Sequence, residues 1–245
     1  MSLLYFFIPA GLGVLGLYAL LPALERAGVA PLTSFLASVV VMFPVLFGAA
    51  FVAYLTESRP LRWAEVRSRF RLRPLDGTGW LWTAGLVVVY VGGQLLLTPT
   101  ARWLATNLPL PLPGSLPPAM DPRVAQIAIP TDFLGVPLRG NWAVGLLYVG
   151  IWVLNILGEE LWWRGYVLPR QELAHGRWTW LIHGVLWTLF HLPFWWNLIA
   201  LLPSTLSLSY VTSRLRNTTP GFVAHAILNG LGVAGILLGV MGGGV

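Results

Sequence analysis

The chain has 245 residues, of which 56% are hydrophobic and only 10% charged, with a mean hydropathy of +0.73. Soluble domains carry about 25% charged residues, so the composition excludes a water-soluble globule and points to an integral membrane protein. All fifteen bases are arginine, set against nine acids, and there is no cysteine, which excludes disulfides, thiolate metal sites and cysteine nucleophiles.

A helix needs about 20 apolar residues to cross a hydrocarbon core of roughly 30 Å. Seven stretches approach this: Leu3 to Leu24, Phe35 to Leu55, Gly79 to Leu97, Asn141 to about Leu168, Trp178 to Trp196, Asn197 to Leu215, and Pro220 to about Met241. Each must satisfy its own backbone polar groups, and continuous apolar runs of this length do so as helices, not as barrel strands. The first lacks a basic flank and a cleavage signature, so it reads as a membrane helix and not as a signal peptide. The expected fold is all-α, a polytopic transmembrane helical bundle of about seven spans. Residues 1–140 form N-terminal membrane helices and residues 141–245 a core that carries the chemistry.

Between the second and third stretches lies the densest charge run, with Arg59, Arg62, Arg67, Arg69, Arg71 and Arg73 against Glu57, Glu65 and Asp76. The positive-inside rule makes this loop cytoplasmic. Propagating through seven spans places eleven of the fifteen arginines on that side and leaves Arg26, Arg102, Arg123 and Arg139 outside. The N-terminus is then expected in the cytoplasm, and the proline-rich segment from Thr98 to Gly140 is expected outside. The isoelectric point near 10.3 follows from this topology. The arginines flank apolar spans and do not alternate with base-stacking aromatics, so no nucleic-acid partner is expected.

Ionisable groups inside spans cost about 2.5–3.5 kcal/mol each on insertion scales and mark function by default. Here they concentrate in the C-terminal hundred residues. The fourth stretch reads Asn155-Ile-Leu-Gly-Glu159-Glu160-Leu-Trp-Trp-Arg164. Neighbouring helical residues point about 100° apart, so the two acids face different directions, whereas Glu160 and Arg164 at i,i+4 share a face and can pair. One carboxylate is thereby neutralised and Glu159 is left to accept a proton; a salt-bridged helix end is the competing reading. The fifth stretch places His191 late in an apolar run, two residues before Pro193, with His183 eight positions earlier and suited to interhelical hydrogen bonding. The seventh carries His225 and Asn229 at i,i+4 on one stripe, fit either for an oxyanion cradle or for a packing hydrogen bond.

These three pieces, in this order, resemble the CPBP family of intramembrane proteases, also called the Abi family, which includes the type II CAAX prenyl endopeptidases and bacteriocin-immunity homologues. Two glutamates, three residues and an arginine match Glu159, Glu160 and Arg164. An aromatic four residues before a histidine matches Trp187 and His191, with tryptophan in place of the more usual phenylalanine. A histidine with asparagine four residues on matches His225 and Asn229. The resemblance covers roughly residues 141 to 232. It implies an intramembrane active site open to the cytoplasm, with Glu159 and His191 activating water, His225 and Asn229 stabilising the oxyanion, Glu160 and Arg164 as an orienting pair, and Trp187 in the substrate pocket wall.

A carboxylate desolvated among helices holds a proton more tightly and is a stronger base, so no serine nucleophile is required. The expected cofactor is none, or zinc held by Glu159, His191 and His225 as a two-histidine, one-carboxylate set. Partners are membrane lipid and a peptide or protein substrate, lipidated or not. A non-catalytic immunity or partner-binding protein and a proton-coupled transporter are the rival readings. Abundant arginine, alanine and glycine without lysine suggests a GC-rich prokaryotic genome and location in its plasma membrane.

Overall fold

The computed structural model describes residues 2–124 and 129–243. In chain order it consists of α1 (Ser2–Arg26), α2 (Pro31–Thr56), the short α3 (Trp63–Arg69), α4 (Gly77–Asn107), a two-stranded hairpin of β1 (Asp132–Phe133) and β2 (Val136–Pro137), α5 (Trp142–Glu159), α6 (Leu168–His175), α7 (Thr179–Phe190), α8 (Leu198–Leu215) and α9 (Thr219–Val240). The chain is thus an all-α bundle of membrane type. Among the described residues, five helical runs are long and apolar enough to cross a bilayer: Ser2–Arg26, Pro31–Thr56, Gly77–Asn107, Trp142–Phe190 and Thr219–Val240.

The difference from about seven spans lies between residues 142 and 215. The expected fourth and fifth stretches fall within one run, Trp142–Phe190, in which Gly176 adopts φ 53° and turns the chain back. Beyond the turn, His183 Nδ1 meets Gln171 Oε1 at 2.6 Å, so α7 folds against α6 and His183 serves as a buried tie. By itself α7 has 12 residues, about 18 Å at 1.5 Å per residue. The residues after it form a 3-10 stretch, Leu192–Asn197, because Pro193 cannot donate to a continuing ladder. The third stretch is longer than expected. Asp76 caps α4 by accepting from the Gly79 amide at 2.7 Å, and the helix runs past Pro99 to Asn107. The proline-rich loop therefore starts at Leu108 and not at Thr98.

The described residues of that loop are packed. Leu116, Phe133, Leu134 and Leu138 bury against Leu17, Trp196 and Val240, and Trp195 Nε1 donates to the Pro111 carbonyl at 3.0 Å. A second apolar cluster fills the opposite end of the bundle, where Phe6, Tyr54, Phe70, Trp163, Trp187 and Ala224 meet. Two backbones come into close approach here. A Cβ on Gly158 would lie 2.6 Å from the Phe43 carbonyl, so only glycine lets α5 seat on α2 one residue before Glu159. Gly158→Ala must push the helices apart, an overpacking cost of about 1–3 kcal/mol. The expected outcome is a lowered unfolding midpoint in detergent together with reduced activity of whatever reaction the site performs.

The arginine-rich loop closes the same end as a clamp. Glu57 accepts from Arg69 (2.6 and 2.7 Å), Arg59 (2.8 Å) and Arg170. Arg71 holds Glu172 with two bonds at 3.1 and 2.7 Å, and Ser213 adds a third at 3.1 Å. The Thr218 hydroxyl donates to the Phe70 carbonyl at 2.8 Å. The Arg69 hydrogen bond, opposed by partial desolvation and helped by Arg170 and Arg59, holds the Glu57 carboxyl down at about 2 against an ordinary 4.5. A folded-state value below the unfolded one contributes stability above about pH 4.5 that is lost as pH falls toward 2. Thermal unfolding from pH 6 to pH 2 is expected to show that loss in the natural protein and a flatter profile in Glu57→Gln.

Candidate active site

Helix α5 is capped by Asn141, which accepts from the Val144 amide at 3.3 Å, and runs regularly to Glu159. From Glu160 to Val167 the chain winds as a π-helix, a wider turn that recurs at functional positions. Glu160, Arg164 and the bulky Trp163 are all fully buried here, with no exposure of any of the three. Trp163 stacks on Phe6 of α1 with centroids 4.4 Å apart. Arg69 reaches in to donate to the Gly165 carbonyl at 3.1 Å.

Glu160 and Arg164 form the expected ion pair, Arg164 Nη1 lying 3.1 Å from Glu160 Oε1. The guanidinium also lies over the Trp187 ring, its Cζ 3.3 Å from the centroid. The same Glu160 oxygen receives His225 Nδ1 at 2.9 Å. The other oxygen has no hydrogen-bond partner and sits against Gly221, where a Cβ would intrude to 2.7 Å. Glu160 is therefore held between a cation and an imidazole by a gap that a larger residue on α9 would close.

Glu159, 4% exposed, faces elsewhere, as the 100° offset requires. Asn155 Nδ2 donates to its Oε1 at 2.8 Å and Trp187 Nε1 donates to its Oε2 at 3.0 Å. From α9, Asn229 Nδ2 donates to Asn155 Oδ1 at 2.8 Å and lies 3.1 Å from His225 Nε2. A continuous chain of contacts thus runs Arg164, Glu160, His225, Asn229, Asn155, Glu159, Trp187, and closes on itself where the Trp187 ring meets Arg164.

The structure brings Glu159, Glu160, Arg164, His225 and Asn229 into this one cluster. His191 joins it only through Trp187: its Nδ1–H donates to the Trp187 carbonyl at 2.9 Å, and its ring centroid lies 5.5 Å from the indole. The His225 ring approaches the same indole at 5.9 Å. Trp187, expected in a pocket wall, is buried and donates its indole N–H to the Glu159 carboxylate, since an indole N–H inside a bundle needs an acceptor. His225 and Asn229, expected to offer two donors to an oxyanion, are engaged with each other and with Glu160 and Asn155. Asn155 had no role in the sequence reading, although its i,i+4 spacing to Glu159 is the signal that could have found it. Among the described residues no three His, Cys, Asp or Glu side chains gather as a metal-holding group. With Glu159 taken up by Asn155 and Trp187, and His225 by Glu160 and Asn229, the set Glu159, His191 and His225 does not fit a zinc ion in this arrangement.

No curated protein and no solved structure matches the chain. A family comparison does: residues 141–231, the segment that supplies every member of the cluster, match the family described as type II CAAX prenyl endopeptidase Rce1-like, and that segment is accordingly similar to the CAAX-protease-type enzymes.

Proposed function

We propose that this chain is an intramembrane endopeptidase in which Glu159 activates water for attack on a peptide bond. The observation that carries the reading is the surroundings of Glu159: a buried carboxylate on a membrane helix, gripped at both oxygens by neutral N–H donors with Arg164 beyond the indole and not in direct contact, one amide away from a second imidazole-bearing helix. Neutral donors orient the carboxylate without taking up its charge, which leaves it able to remove a proton from water. His191, whose Nδ1 is fixed on the Trp187 carbonyl, keeps the lone pair of Nε2 for the same water. On the other side of the cluster, Asn229 and His225 are the groups that supply the oxyanion donors, once a substrate draws the amide and the ring from the hydrogen bonds they make to Asn155 and Glu160. Glu160 and Arg164 hold His225 in place from behind.

The similarity of residues 141–231 to the CAAX-type endopeptidases makes a lipidated peptide the substrate class to try first. The test uses the full chain in detergent micelles and in vesicles, with quenched fluorescent peptides carrying or lacking a farnesyl cysteine. Cleavage by the natural protein, lost in Glu159→Ala and insensitive to a chelator, supports the reading. Cleavage that vanishes with chelator and returns with stoichiometric zinc overturns the metal-free mechanism. Absence of cleavage together with proton-gradient-dependent transport, or with immunity that survives Glu159→Ala, overturns the hydrolase itself.

A further inference from the structure

The arginines at the clamped end of the bundle divide into two sets. Arg59, Arg69, Arg71 and Arg170 are spent on Glu57 and Glu172. Arg62, Arg67, Arg73, Arg214 and Arg216 are exposed and enter no ion pair among the described residues. The fold gathers this second set. Asn217 brackets Arg73, its Oδ1 accepting from the Arg73 amide at 3.2 Å and its Nδ2 donating to the Arg73 carbonyl at 3.3 Å, while the Thr218 amide donates to the Arg71 carbonyl at 2.9 Å. This seam lays Arg73 beside the end of α8, which carries Arg214, with Arg216 just beyond it. Arg73 also shares a groove of about 370 Å³ with Arg67, Ser68, Leu72 and Trp63. Of the acids in the same segment that the clamp does not use, Asp76 is turned to the Gly79 amide, and Glu65 enters no ion pair among the described residues.

A groove lined by two arginines calls for an anion, and guanidinium groups match phosphate best, because each can give two parallel N–H bonds to its oxygens. The surroundings decide which phosphate. The segment from Glu57 to Asp76 joins two membrane helices, α2 and α4, and so lies at the bilayer surface. Beside its arginines, Trp63 and Leu61 are 67% and 65% exposed. Tryptophan exposed in this way belongs at the level of lipid headgroups, and basic clusters next to membrane helices recognise anionic lipids. A small water-soluble phosphate would leave both apolar side chains uncovered. We propose that this groove binds the headgroup of an anionic phospholipid, its phosphate held by Arg67 and Arg73 with the Ser68 hydroxyl and its glycerol region lying against Trp63. Arg62, Arg214 and Arg216 add attraction from nearby. The proposal stands apart from the hydrolase reading, and its test needs no peptide. Because Arg71 and Arg73 are sewn to Asn217 and Thr218, an occupied groove steadies the segment that seats the start of α9.

The experiment is native mass spectrometry of the full chain released from micelles, titrated with phosphatidylglycerol or with phosphatidylcholine of the same acyl chains. The natural protein is expected to bind the anionic lipid about tenfold or more tightly than the zwitterionic one. Arg67→Gln and Arg73→Gln should each weaken phosphatidylglycerol about fivefold, and the double variant about 25-fold, with phosphatidylcholine unchanged. Arg102→Gln, an exposed arginine at the other end of α4, should leave both as they are. Equal affinity of the natural protein for the two lipids overturns the proposal without any variant, so failure of the double variant to fold does not shelter it. A folded double variant that keeps the preference overturns it as well. Melting curves in micelles separate the sources of phosphate, since a ligand of the folded state raises the unfolding midpoint. Phosphatidylglycerol should raise it and inorganic phosphate at the same concentration should not. An equal rise with inorganic phosphate gives the groove to a soluble phosphate compound, and a rise with a polyglutamate peptide but not with lipid gives it to an acidic protein partner; either result overturns the lipid assignment.

Discussion

Replacing Glu159 by glutamine is expected to lower kcat by about 10³-fold or more while the protein stays folded. General-base contributions run to about 10²–10⁴-fold, and here no second carboxylate can substitute, because Glu160 is bound by Arg164 and His225. The substitution preserves shape: the amide oxygen still accepts the indole N–H that now lies 3.0 Å from Glu159 Oε2, while Asn155, which now donates to the other oxygen, must turn its own oxygen to the new NH₂, so the unfolding midpoint should fall only modestly. Initial-rate kinetics with the fluorescent peptide, paired with a melting curve on the same preparation, check both halves. Retention of more than about one tenth of the activity would remove Glu159 from the role of base.

The second large effect concerns stability. Arg164→Met leaves the fully buried Glu160 supported by one imidazole alone. Removing one partner of a buried ion pair typically costs about 3–5 kcal/mol, because the survivor's desolvation goes uncompensated. The guanidinium's stacking on Trp187 at 3.3 Å is lost at the same time. An SDS-unfolding titration of Arg164→Met, Glu160→Gln and the double variant should show the double to be less damaged than the sum of the singles, since the pair is coupled. Additive losses, or a single-variant loss below about 1 kcal/mol, would mean that the pair contributes nothing beyond its separate contacts.

Much of this site was legible before any coordinates. Apolar runs located the membrane helices because length and hydropathy are local properties. The i,i+4 spacing of Glu160 and Arg164, and of His225 and Asn229, located two contacts that the structure contains. What escaped notice depended on wider context. The break at Gly176 falls between the fourth and fifth stretches as read, but the fifth was drawn to Trp196, because counting apolar residues does not show that α7 ends at Phe190. The π-helix from Glu160 to Val167 lies where Trp163 stacks on Phe6 of the first helix and Arg69 reaches Gly165 across 96 positions, contacts that no local window contains. The Trp187 indole looked like bulk until an acceptor stood beside it, and the clamp on Glu57 needs Arg170, 113 residues along the chain.

The widened winding between the paired glutamates and Val167 also sets what kinds of change this scaffold can absorb. A π turn is an α turn carrying one extra residue, so deleting one amino acid there, such as Leu161, lets the segment relax to 3.6 residues per turn while Arg164, now three places after Glu160, stays near the same face. A one-residue deletion in those eight positions is therefore a length change this scaffold can absorb, and an alignment with a single gap here still sets the arginine beside its carboxylate.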